Sequence, residues 1–112
     1  MLTVDALRAC GVNTGEGLGR CMNNEAFYLR LVNMALDDAG FGKLADAVAA
    51  GDMKAGFEAA HSLKGVLGNL ALTPIYDPVS EMTELLRASA DADYQGYLDR
   101  VLAAREQILA LR

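Results

Sequence analysis

Residues 57 to 72 read FEAAHSLKGVLGNLAL, and their spacing decides how the rest of the chain is read. At roughly 100° per residue, Ala59, Leu63, Val66 and Leu70 gather on one side of a helix. Lys54, Phe57, His61, Lys64, Gly65 and Gly68 gather on the other. The segment is therefore expected to be a helix over about 53–69, opened by Asp52 as its cap, with one face in a core and the other outward. His61, the only histidine in the chain, falls on the outward face.

Working outward, Phe27, Leu31 and Met34 recur upstream with Tyr28, Val32 and Ala35 in the three-and-four spacing of a core helix that begins near Asn24. Gly40 and Gly42 are expected to interrupt or kink it before a continuation through Leu44, Ala45 and Val48 that stops at Gly51. Further upstream, a short first helix of about 3–9 is capped by Thr3 and stopped at Gly11, and NTGEGLGRCMNN reads as a loop holding one weak turn. Downstream, Thr73-Pro74 and Asp77-Pro78 both resemble helix starts, because proline lacks an N–H that the opening turn leaves unused. A proline at 78 would disturb a helix already begun at Thr73, so a helix from Pro78 to about Ala90 is favoured. Tyr94, Tyr97, Leu98, Val101, Leu102, Ile108 and Leu109 keep helical spacing almost to the C-terminus. Four sizeable amphipathic helices with short connections predict an all-α, antiparallel four-helix bundle over about 24–111, with the short additional N-terminal helix before it.

The 112 residues are 53% hydrophobic, enough for one core, so a single domain over 1–112 is expected. The first residues show neither a basic leader nor a long apolar run, and no window approaches the roughly 18 apolar residues of a membrane span. A soluble cytoplasmic chain without membrane association is the expectation. Net charge is −5 and the ten basic residues are scattered, which gives no electrostatic footprint for nucleic acid. Cys10 and Cys21 fit no metal or redox spacing and are expected to be free thiols. No metal site is expected either: one histidine gives no His-rich ligand set, and Asp37 and Asp38, adjacent in sequence, point to different helix faces.

A lone exposed histidine is by itself usually an ordinary surface residue. Its neighbours alter that reading. Gly65 and Gly68 lie inside a helix on its outward face, where together they lose roughly 2 kcal/mol relative to alanine. Side chains missing four and seven residues beyond His61 bare the backbone beside the imidazole and let another surface approach closely. Lys64, three residues after His61, lies within reach of a group attached to the ring. A cation there disfavours protonation of the imidazole and can neutralise part of a phosphoryl charge near roughly −2. Ser62 diverges from His61 by about 100° and makes a poor nucleophile–base pair with it.

The run HSLKG, followed by Gly68 and Leu70, resembles the phosphorylation-site signature H-x-[LI]-K-G of histidine-containing phosphotransfer (HPt) domains. Gly51-Asp52, Phe57 and Ala60 are similar to the residues preceding that histidine, and GLGRCMNNEAFYLRLV is similar to the family's opening, so the resemblance covers about residues 12–111. Ala71 stands where many members have glycine, Val66 and Leu67 replace smaller residues, and Pro78 interrupts the usual helix start.

The resemblance implies that His61 accepts a phosphoryl group through Nε2 from a receiver-domain aspartate of a hybrid histidine kinase and passes it to the receiver domain of a response regulator. It also implies that Lys64 stabilises charge, that Gly65 and Gly68 allow close approach, and that Phe57, Leu67 and Lys54 are candidates for the docking surface, with packing of Leu67 against a neighbouring helix as the alternative for that residue. No cofactor is expected on this chain, Mg²⁺ belonging to the receiver partner. No phosphate-binding loop is present, which points to a carrier without ATP binding or autokinase activity. The resemblance also implies a monomer, and no exposed heptad seam argues otherwise. The competing expectation is a non-catalytic helical interaction module whose surface histidine is idle.

Overall fold

Helix starts in this chain are written in its Ser/Thr/Asn/Asp positions. Thr3, Asn13, Asn24, Asp52 and Asp93 each accept a backbone N–H through their side chain and open α1 (Val4–Ala9), α2 (Thr14–Arg20), α3 (Glu25–Leu36), α5 (Met53–Asn69) and α7 (Tyr94–Leu109). The two remaining helices, α4 (Gly40–Ala50) and α6 (Thr73–Arg87), begin without a side-chain cap. The computed structural model describes residues 1–112 and is helical throughout, with no strand.

Short connections turn each helix back on its predecessor. Gly51, at φ 66°, and Asp52 join α4 to α5; residues 70–72 join α5 to α6; residues 88–93 join α6 to α7. Helix α5 packs between α4 and α6, and α7 closes the ring against α6 and α4. The expected four-helix bundle is present, with α1–α3 laid against it. One core cluster runs from Leu2 to Ile108 and includes Tyr28, Leu36, Leu44, Leu63, Leu67, Leu72, Ile75 and Met82, all fully buried. The far end of α7 fastens the break between α3 and α4. Arg105 donates to the Leu36 carbonyl at 2.8 Å and lies 4.9 Å from the Phe41 ring, and Arg112 pairs with Asp37 at 2.7 Å.

The helix over 53–69, the capped first helix and the last helix lie where their spacing placed them. Three local expectations need correction. The stretch after Val12 is a true helix, α2, because Asn13 caps it and Thr14 and Gly17 are buried against the rest of the fold. The interruption before α4 falls at residues 37–39, and Gly40 opens the new helix rather than breaking the old one. A Cβ on Gly40 would lie 2.9 Å from Leu63 Cγ, so glycine there lets α4 approach α5.

Helix α6 starts at Thr73, not Pro78, and contains Pro78 in its second turn. Pro74 occupies the opening turn, where its missing N–H is harmless. Ile75, Pro78, Val79, Met82, Thr83 and Leu86 form one buried stripe, and burying it outweighs the hydrogen bond that Pro78 forgoes.

At the end of α5 the Ala71 N–H reaches the Gly68 carbonyl at 3.1 Å and the Leu72 N–H reaches Leu67 at 3.0 Å. Between them Ala71 sits at φ 55°, a left-handed stop that glycine adopts with less strain. The departure noted at Ala71 thus falls on a position that the turn itself makes special.

Candidate functional site

His61 lies at the middle of α5 and is solvent-exposed, because Ala60 and Leu63 on either side turn into the core. Its ring stacks on Phe57, one turn earlier, with centroids 5.5 Å apart and planes at 21°. The guanidinium of Arg87, on α6, lies 5.0 Å from the other partner in that stack, the Phe57 ring. One face of the imidazole therefore lies against the Phe57 ring, which Arg87 contacts in turn, and His61 is otherwise open to solvent.

Beside His61 opens a groove of about 640 Å³ whose walls include Lys64, Gly65, Gly68 and Tyr76, with Glu16 and Arg20 of α2 at its far side. Arg20 donates to the Gly68 carbonyl and to Glu16, which fixes α2 over the last turn of α5. Lys64 is half-buried and directs its ammonium to Glu84 of α6, Nζ to Oε1 at 3.5 Å. The second oxygen of Glu84 takes the Arg87 Nε at 3.3 Å. Arg87 foremost, with a lesser share from Lys64, holds the Glu84 carboxyl below its usual range, against an opposing effect of burial.

The two outward glycines differ. A Cβ on Gly65 would meet nothing within 4 Å, so no internal contact explains its absence. A Cβ on Gly68 would lie 2.9 Å from the Tyr76 ring, so this glycine serves the packing of α5 on α6 as well as baring its carbonyl for Arg20. Lys54 is exposed two turns before His61, about 10 Å away along the helix, with no carboxylate in ion-pair range. Phe57 is half-buried and reachable at its edge.

Leu67 requires correction: it is fully buried in the core and cannot belong to an outward docking rim. It follows Val66, which is only half-buried, so the wheel of α5 is rotated slightly from the one drawn from its apolar residues. Glu84, Arg87, Arg20 and Tyr76 escaped the sequence reading. The first two come from a helix whose start was misplaced, and Arg20 from a segment read as loop. Only the interhelical packing brings them to His61.

An all-α bundle that holds one imidazole in solvent, on a helix whose next outward position is bare, fits the class of phosphoryl carriers. The family model for the Hpt domain matches residues 31–111, well over half of the chain and all four bundle helices, and the chain belongs to the Hpt domain family. The match begins inside α3, so α1, α2 and all but the last two residues of the opening that resembled the family lie outside it. Neither the curated proteins nor the solved structures returned a match. Hpt domains are phosphotransfer carriers of two-component signalling, distinct from kinases, and engage receiver domains. No helix of this chain is long and apolar enough to cross a membrane.

Proposed function

We propose that this chain is a phosphorelay intermediate that takes a phosphoryl group onto His61 from the phospho-aspartate of a hybrid kinase's receiver domain and hands it to the receiver domain of a response regulator. The observation that carries the reading is the pairing of an exposed His61 with an outward Gly65 that no internal contact requires.

The step is a balanced in-line displacement. A lone pair on His61 Nε2 forms the N–P bond while the P–O bond to the receiver's aspartate breaks, and the carboxylate leaves with the bonding electrons. The reverse displacement on a second receiver regenerates the free imidazole. Catalysis of this kind rests on positioning and charge stabilisation, and the metal that the reaction uses would sit on the receiver. This chain contributes the nucleophile, the nearby ammonium of Lys64 and a face that admits the partner. Phe57 holds the imidazole plane by stacking, and Gly65 leaves the helix backbone open to the approaching receiver. Phe57 and Lys54 supply the docking rim.

The test mixes the purified chain with a phosphorylated receiver domain and Mg²⁺ and follows acid-labile, alkali-stable phosphate. Label on wild type and none on His61→Gln supports the reading. If a panel of receivers labels neither while a control Hpt protein is labelled, the idle-histidine interaction module replaces it.

A further inference from the structure

We infer that Glu84 is a positioning residue that competes with the phosphoryl group for Lys64 and thereby keeps the phosphorylated His61 ready to donate; this rests on the carrier reading above. Glu84 bridges two helices with its two oxygens, one 3.5 Å from Lys64 Nζ on α5 and the other 3.3 Å from Arg87 Nε within α6. Arg87 in turn lies over Phe57, on which His61 stacks. The carboxylate therefore touches Lys64, which lines the same groove as His61, and Arg87, which lies over the ring that His61 stacks on, while remaining itself exposed.

Lys64 is a compact charge on a flexible four-carbon stem, and its ammonium can move between two anions. Without a phosphoryl group it has Glu84. Once His61 carries a group with a charge near roughly −2, the ammonium is drawn to it, and the carboxylate loses one partner. That exchange offsets part of the gain that Lys64 would otherwise give the phosphohistidine. The charge of Glu84 also opposes the phosphoryl charge through solvent, on a scale that salt screens. Both effects raise the phosphorylated form in free energy relative to the free chain. A relay intermediate benefits, since a phosphohistidine that is too well neutralised would trap the group instead of passing it on.

The bond changes are those of the transfer itself, N–P made as O–P breaks, and Glu84 enters neither. Its effect is on the position of equilibrium. The experiment equilibrates the chain with a receiver that labels the wild type and measures the ratio of phosphohistidine to phospho-aspartate by phosphate-affinity electrophoresis. Glu84→Gln is expected to shift that ratio toward phosphohistidine about threefold, the scale of screened interactions between exposed charges. Glu84→Asp, which keeps the charge, is expected to stay near the wild-type ratio. In a Lys64→Gln background the effect of Glu84→Gln should shrink to less than half.

An unchanged ratio in Glu84→Gln, or a shift toward phospho-aspartate, overturns the inference while leaving the carrier reading intact, as does a shift that persists in full without Lys64. A wild type that no receiver labels overturns the carrier reading and this inference with it.

Discussion

Gly17 is where the fold and the proposed site depend on the same few ångströms. A Cβ added there would lie 2.5 Å from Tyr28 Cε1, 2.7 Å from Tyr28 Oη and 2.7 Å from the Leu70 carbonyl oxygen. Tyr28 is fully buried and donates to that same carbonyl at 2.9 Å, so neither the ring nor the α5 end can move aside cheaply. Forcing a methyl into such a space costs about 1–3 kcal/mol, and disturbing a buried hydrogen bond adds about 1 kcal/mol. Alanine's better helix propensity returns about 1 kcal/mol. Gly17→Ala is therefore expected to lose about 2 kcal/mol, which for a chain of this size lowers Tm by roughly 8 °C.

Thermal unfolding followed by circular dichroism measures this, with Gly19→Ala as the control. Gly19 lies on the exposed side of the same helix with nothing within 4 Å of its Cβ, so there the substitution should raise stability. If Gly17→Ala melts at or above the wild-type temperature, the account of how α2 docks is wrong. Because Arg20 of α2 holds the Gly68 carbonyl, Gly17→Ala should also slow phosphoryl acceptance at His61 even at temperatures where the chain is folded.

Other predictions follow from single positions. Gly65→Ala should gain about 1 kcal/mol in urea unfolding, since its Cβ meets nothing, yet slow transfer from a receiver about tenfold; unaltered transfer would remove the argument for open backbone. Ser89 is exposed at φ 49° in the stop of α6, where the Ala90 N–H reaches Leu85 at 2.9 Å, so Ser89→Gly should gain about 0.5–1 kcal/mol with an unchanged denaturant slope. Burial, with a smaller contribution from Cys21, pushes the Tyr28 hydroxyl up to about 12. The unfolded chain gives up that proton near pH 10 and the folded chain does not. Stability from this group is thus whole below pH 10 and is lost, by up to roughly 2–3 kcal/mol, as pH rises toward 12. Tyr28→Phe should be less stable at neutral pH and lack that part of the alkaline decline in a pH series of melts.

What was legible in the sequence was legible for local reasons. Asp52 before a 17-residue amphipathic run, Thr3 before the first helix and Gly51 as a left-handed stop each carry their physics within a few residues. The outward face of α5 was readable in the same way, and helical spacing alone groups His61, Lys64 and Gly65 on it. The start of α6 was misread because proline chemistry is local, whereas burial of Ile75, Val79 and Met82, which overrides it, depends on the rest of the bundle. Leu67 was misplaced for a related reason: a helical wheel gives angles but not the angle at which the neighbouring helices meet it. Gly68 looked like Gly65 until Tyr76 was seen across from it. The bridge from Lys64 through Glu84 to Arg87 joins residues twenty apart and has no signature in a single chain.

The central claim is that His61 carries a phosphoryl group between two receivers. A reconstituted relay tests it most directly: a phosphorylated donor receiver, a second receiver that the donor does not label by itself, and this chain as the only link. The account predicts label on the second receiver with the wild-type chain and none with His61→Gln. Equal label with both forms, or label on the chain at a residue other than His61, would contradict it.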